Sequence, residues 1–242
     1  MQRLVTDAYL LHSRPYKESS ALLTIFSRSK GKITCMAKGL KKPKSRLSSA
    51  RQLFKELTVE VSVPKKEEGL HQLISAELLL AVPLRPRLYT IELSLHYMNE
   101  LIYILLPQSA HDEGIYELYQ YIVEYIDEEN SEHLMRRFEI QLLEALGYGV
   151  QFDVDDTGVE IDANKKYFIQ PMMAPSVALT EKGKFVLGEP LQVIAKGPES
   201  WGVLELKVLK YIMRLNINAI LNGRTLNSRK LFAEYLALNK VK

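Results

Sequence analysis

Apolar residues recur along this chain at two spacings, and the change between them falls near residue 80. Before it, the apolar runs are short and rich in β-branched side chains. Residues 8–11, 22–26 and 32–37 read as strands, with Ser29-Lys30-Gly31 as the turn between the second and third. Residues 57–63 alternate, with Leu57, Val59, Val61 and Val63 on one face and Thr58, Glu60 and Ser62 on the other. Residues 70–79 supply a fifth candidate. Five short strands with one long connection predict a small closed barrel. Periodicity alone does not separate an OB-fold from an SH3-like barrel. The OB-fold is the five-stranded barrel that most often handles single-stranded nucleic acid.

Pro83 and Pro86 mark the change of spacing. From 88 to 106 the stripe Leu88, Ile91, Leu95, Met98, Ile102 and Leu105 is helical, and Leu93, Tyr97, Leu101 and Ile104 widen it. Pro107 ends that helix. Ile115, Leu118, Tyr119, Ile122 and Ile126 mark a second. Asn130 or Ser131 can cap a third, which stops at Gly147. Ser200 can cap a long helix closed by Asn222-Gly223, and Ser228 a short last one. Residues 150–198, broken by glycines and prolines, read as an inserted, mostly β or irregular subdomain. The expected fold is α+β: a five-stranded OB-fold barrel over 1–80, then one α-helical bundle over 81–149, completed by 199–242, with the insertion at 150–198.

Composition is ordinary for a globular chain, with 47% hydrophobic and 25% charged residues. No apolar run reaches the roughly 18 residues of a membrane span, and the start lacks the pattern of a signal peptide, so no membrane partner is expected. The single cysteine, Cys35, excludes an intramolecular disulfide and fits a reducing cytoplasm. Charge changes the picture more. Residues 19–55 hold ten basic side chains and no acidic one, whereas 111–160 hold fourteen acidic and two basic, Arg136 and Arg137. Within the basic stretch, Ala37 to Leu47 reads AKGLKKPKSRL. Gly39 and Pro43 break regular structure, so Lys41, Lys42, Lys44 and Arg46 are expected on a mobile solvated loop. Such a loop can follow a polyanion, since each neutralised phosphate releases condensed counterions. Arg14 could join the same face, and Tyr16 and Phe26 could stack bases. Arg224, Arg229 and Lys230 form a smaller basic cluster, equally readable as a second contact or a helix-terminus feature.

Catalytic and metal patterns are weak. His12, His71, His96, His111 and His133 lack ligand spacing. Asp153-Val-Asp155 starts like a calcium loop, but position twelve is Asn164 where a bidentate Glu is needed. A phosphate-cradling Gly-rich loop is absent, so neither a nucleotide nor any other cofactor is expected. A nuclease is the competing enzyme class, and an RNA- or tRNA-binding OB module the competing binding class.

Four stretches in register carry a resemblance: LLHSRPYKESSALLTIFSRSKGK (10–32), AKGLKKPKSRL (37–47), MRRFEIQLLEALGYG (135–149) and NGRTLNSRKLF (222–232). Together the chain resembles the RecO family of DNA repair proteins over nearly its whole length. The resemblance implies a non-enzymatic recombination mediator acting in the cytoplasm at the nucleoid. Such proteins bind single- and double-stranded DNA, the single-strand-binding protein SSB, and RecR. They anneal complementary strands and assist RecA loading on SSB-coated DNA. Many members hold zinc on four cysteines in the insertion. Residues 150–198 contain neither cysteine nor histidine, so the chain is similar to the zinc-free branch.

The resemblance also sets expectations for sites. DNA contacts are expected from Arg14, Lys32, Lys38, Lys41, Lys42, Lys44, Arg46 and Arg229. The acidic SSB tail is expected on Arg136, with Leu101, Ile102 and Leu105 as an apolar wall. Against that stands an Arg136 pair with Glu132 or Glu139 on its own helix.

Overall fold

The computed structural model describes residues 2–63, 70–79, 87–179 and 183–239. The chain divides into two compact units, Met1–Tyr125 with Leu226–Lys242, and Ile126–Thr225. In the first, strands β1 (Arg3–Tyr16), β2 (Ser20–Ser27), β3 (Gly31–Ala37), β4 (Glu56–Ser62) and β5 (His71–Leu78) close a barrel in the order β1-β2-β3-β5-β4. All pairs are antiparallel except β3 with β5. This is the expected five-stranded OB-fold barrel.

Alternation decides which side chains fill it. Leu57, Val59 and Val61 point inward with at most 1% exposure, joined by Ala8, Leu10, Leu23, Ile25, Ile33, Cys35, Leu73 and Ala76. Strand β1 is longer than its apolar run. Its first half pairs with β4 through Tyr9, and after a bulge between Leu10 and His12 its polar half pairs with β2. Backbone bonds, not apolar burial, hold that second half, which is why the apolar pattern misses it.

Helices α1 (Tyr89–Leu105), α2 (Glu113–Tyr125) and α6 (Asn227–Asn239) belong to the same unit. Tyr9 and Phe26 point out of the barrel and are covered by Tyr116 and Tyr119 of α2, with ring centroids 5.0–6.0 Å apart. The Tyr119 hydroxyl bonds Asn99 Oδ1, and Asn99 Nδ2 donates to the Leu10 carbonyl at 3.4 Å. Beyond Pro107 the chain runs beside β3, where Ser109 N donates to the Lys32 carbonyl at 2.8 Å. Gly31 makes that approach possible: its φ is +61°, and a Cβ there would lie 1.7 Å from the Ala110 oxygen.

The start of α6 is capped by another helix. The Glu100 carboxylate on α1 accepts from Asn227 N (2.8 Å), Ser228 N (2.9 Å) and Ser228 Oγ (2.5 Å). Ser228 therefore sits inside α6, and Glu100 supplies the anionic cap expected of that serine.

The second unit holds α3 (Ser131–Ala145), a three-stranded sheet in the order β7-β6-β8, α4 (Gly188–Ala195) and α5 (Val203–Leu221). Strands β6 (Lys166–Phe168), β7 (Ser176–Val177) and β8 (Phe185–Leu187) confirm the β character of the insertion. Helix α4 is a difference from the sequence reading. Gly188 and Pro190 fall in its first turn, where backbone N–H groups have no intrahelical partner, so neither residue breaks it. Gly188 is also needed sterically, because a Cβ would lie 2.0 Å from the Asp162 oxygen. Ser200 forms part of a short 3₁₀ turn, and α5 starts instead at Gly202, whose N–H donates to Glu205 at 2.9 Å.

This grouping differs from the expected domain plan. Helices α1, α2 and α6 go with the barrel because Tyr116, Tyr119 and Glu100 tie them to it and to each other. Helices α3 and α5 go with the insertion. The expected boundary near residue 80, with Pro83 and Pro86, lies outside the described residues.

Candidate nucleic-acid interface

Strand β3 leaves the barrel at Ala37, and the connection to β4 is a chain of turns rather than a free loop. Lys42 N donates to Gly39 O at 3.1 Å, Ser45 N to Lys42 O at 3.2 Å, and Ser48 N to Ser45 O at 3.2 Å. A 3₁₀ turn, Ser48–Arg51, follows. Leu40, Leu47 and Ala50 insert into the barrel core with 3%, 6% and 2% exposure. Arg51 bonds back to the Leu40 carbonyl. The expected mobility is thus corrected: three apolar anchors and a ladder of turns fix the connection to the barrel.

Around those anchors the cations face solvent. Lys38, Lys41, Lys42, Lys44 and Arg46 are all exposed. Arg14 is exposed on the outer half of β1, which runs into the β1–β2 hairpin. The hairpin and the connection are joined, since Lys41 N donates to Ser19 O at 3.0 Å and Lys41 Nζ to Lys17 O at 3.2 Å. Lys17 therefore belongs to this surface, with its Nζ 5.6 Å from the centroid of the exposed Tyr16 ring. Sequence reasoning missed Lys17 because Glu18 beside it interrupts the basic run.

Other expected contacts lie elsewhere. Lys32 is 6% exposed; its Nζ donates to the Tyr103 carbonyl at 2.7 Å, and burial lowers its pKa. An ammonium held under α1 is not available to a phosphate. Phe26 is fully buried beneath Tyr116 and Tyr119, so it cannot stack on a base. Arg28, from the same basic run, lies 4.7 Å from the Tyr116 centroid and donates to Gln120 at 2.9 Å. Arg229 is half-buried against Tyr97, donating to its hydroxyl at 3.2 Å. Arg224 and Lys230 are exposed, but fall in different units.

The expected tail site changes most. Arg136 is 8% exposed and bridges Glu139, itself 2% exposed, at 3.0 Å. Leu101 and Ile102 are fully buried, and Leu105 is half-buried. The neighbouring Arg137 is the exposed one. Helical periodicity explains the exchange: Met135, Arg136, Phe138 and Glu139 share the inward face of α3, and Arg137 lies off it.

Among the described residues no three His, Cys, Asp or Glu side chains converge on a metal position. Asp155 Oδ1 instead accepts from Thr157 N, Thr157 Oγ1 and Val159 N at 2.6–3.0 Å, a turn that uses the carboxylate internally. The insertion is held by buried Ile161, Tyr167, Ile169, Val186, Leu191 and Ile194. His12 stacks on Tyr103, and His133 lies tilted against Trp201 with ring centroids 5.4 Å apart. Among the described residues no helix is long and apolar enough to cross a membrane.

A closed OB barrel carrying solvent-facing cations on its β3–β4 connection, followed by helices, defines a class of barrel-plus-helix proteins. Residues 1–81 match the family description "Recombination protein O N terminal", and residues 93–229 match "Recombination protein O C terminal". The chain is 36% identical over 240 residues to the DNA repair protein RecO of Francisella philomiragia, covering 99% of this chain and 100% of that one. It is 33% identical over 243 residues to that of Francisella tularensis subsp. novicida, at 99% and 100% coverage. To that of Vibrio atlanticus it is 31% identical over 237 residues, covering 97% and 95%. The chain belongs to the RecO family of DNA repair proteins.

Proposed function

We propose that this protein is a recombination mediator that binds DNA through its barrel, anneals complementary strands and assists RecA loading on SSB-coated single strands. The observation that carries this reading is the fixed basic surface: Lys38, Lys41, Lys42, Lys44 and Arg46, with Arg14 and Lys17 beside them, mounted by Leu40 and Leu47. Cations held on a scaffold neutralise phosphates without first being ordered, so two like-charged strands can approach. Base pairing between the strands then supplies specificity, and the protein needs little sequence preference of its own. The role requires no bond-making chemistry and no cofactor. It belongs in the cytoplasm, at the nucleoid.

SSB and RecR are the proposed partners. For the SSB tail, Arg137 is the arginine that an incoming carboxylate can reach, because Arg136 is bridged to Glu139. The test of the whole reading is annealing of SSB-coated complementary strands. A folded protein that binds these strands but leaves them unpaired overturns it, and tighter binding to transfer RNA than to DNA would favour an RNA-binding role.

A further inference from the structure

Helix α2 has a second face that covering the barrel does not use. Tyr121 and Tyr125 stand one turn apart, 48% and 51% exposed, with ring centroids 4.9 Å apart. Glu117 lies one turn before Tyr121, and Glu124 three residues after it; both are exposed. Residues 111–135 contain no lysine or arginine. Paired aromatic rings, each about half exposed among carboxylates, leave apolar surface in water, and tyrosine is enriched where proteins meet.

The same helix already shows what it takes. Arg28 sits 4.7 Å from the Tyr116 centroid, and 3.7 Å and 3.9 Å from Glu117 and Glu113, whose side chains stay 62% and 63% exposed. A guanidinium between a tyrosine face and glutamates is thus realised within the chain. Tyr121, Tyr125 and Glu124 extend that arrangement outward from Glu117, the carboxylate nearest Arg28, with no arginine or lysine in residues 111–135.

We propose that the outward face of α2, formed by Glu117, Tyr121, Glu124 and Tyr125, docks an arginine-rich segment of a protein partner. Charge selects the class, because these carboxylates repel phosphates as strongly as they attract guanidinium groups. The rings select arginine over lysine, since a planar guanidinium stacks on an aromatic face and sheds water more readily. This surface is opposite in sign to the β3–β4 connection, so the partner does not compete for it with DNA.

The test uses the full chain and fluorescent octa-arginine and octa-lysine peptides, titrated by anisotropy at low salt. Wild type should bind octa-arginine about three- to tenfold more tightly than octa-lysine. Tyr121→Ala with Tyr125→Ala should erase that preference. Glu117→Gln with Glu124→Gln should weaken both peptides, and Glu199→Gln with Glu234→Gln should weaken neither. If the alanine pair lowers the melting temperature, Tyr121→Leu with Tyr125→Leu keeps bulk while removing the aromatic face. Equal affinity for the two peptides, or a preference that survives loss of the tyrosines, overturns the proposal. Loss of oligo-dT affinity in the tyrosine variant also overturns it, by making the face a base-stacking surface.

Discussion

The basic residues of the first unit fall into two populations that composition treats as one. Lys38, Lys41, Lys42, Lys44 and Arg46 stand in water on a braced connection. Lys32 and Arg28, a few residues earlier, are built into the fold, one against the Tyr103 carbonyl and the other against Tyr116 and the α2 glutamates. The difference teaches that a run of cations is not a site until the fold says which of them reach solvent. The second unit repeats the lesson with two adjacent arginines, Arg136 buried and Arg137 exposed.

The largest expected effect breaks the embedded set. Arg136→Ala leaves the buried Glu139 carboxylate without its guanidinium and should lower stability by about 3–5 kcal/mol. Replacing both partners, Arg136→Met with Glu139→Gln, should recover most of that. Urea unfolding of the three proteins measures it, and an unchanged midpoint for Arg136→Ala would place the arginine among the solvated cations.

Next in size is the solvated set. Lys41, Lys42, Lys44 and Arg46 changed together to Ala should leave the melting temperature within a degree or two and weaken single-strand binding about a hundredfold at low salt. If the intact protein meets about six phosphates, log K falls with log salt at a slope near −4, and the variant slope should be shallower by about two to three. Equal slopes would remove the connection from the DNA surface.

Lys32 tests the division from the other side. Lys32→Met should cost about 1–3 kcal/mol of stability, through the unpaired Tyr103 carbonyl, while leaving the salt slope unchanged. Burial lowers the pKa of the Lys32 ammonium. Between that lowered value and the ordinary 10.5, the unfolded chain holds a proton that native Lys32 has released. Wild-type stability therefore gains a component that rises with pH across this window, and Lys32→Met should lose it. A shallower salt slope in the variant would return Lys32 to the DNA surface.

The smallest effect should come from Tyr16, the exposed ring beside Lys17. Tyr16→Ala should weaken single-strand binding several-fold, from the loss of about 1 kcal/mol of stacking, without altering the salt slope. Competition titrations with oligo-dT against an abasic strand check this, and equal losses for both strands would rule out stacking.

Much of the fold was legible in the sequence. Leu57, Val59 and Val61 announce β4 by strict alternation, and the wide stripe of α1 announces a buried helix. Helix α4 and the outer half of β1 were not, because Gly188 and Pro190 hide the one and His12 to Tyr16 hide the other. The outer half of β1 is made by its hairpin with β2, and α4 by the close approach of Gly188 to Asp162. For the candidate site, residue type located the cations of the connection but not their support. Leu40 and Leu47 look like ordinary loop residues until the barrel closes over them. Lys32 alternates with Ile33 and so points out of the barrel; only the end of α1, through the Tyr103 carbonyl, and the residues after it turn that outward position into a buried one. Lys17 was hidden by Glu18, although hairpin geometry places it beside Lys41.

The Glu100 clamp on α6 also bears on how the protein is made. The barrel-bearing unit is discontinuous: its last helix is synthesised after all of Ile126–Thr225, and the carboxylate that caps it was laid down 127 residues before Asn227. On the ribosome, Glu100 must therefore wait, hydrated, while the whole second unit emerges and folds. The barrel can close early, because all five strands lie within residues 3–78, but the docking of α6 is a closure of long sequence separation and waits until Ile126–Thr225 has been made. A nascent chain that stalls before Asn227 thus presents a barrel beside an α1 whose Glu100 has no helix start to cap, a species the protein passes through once in every synthesis.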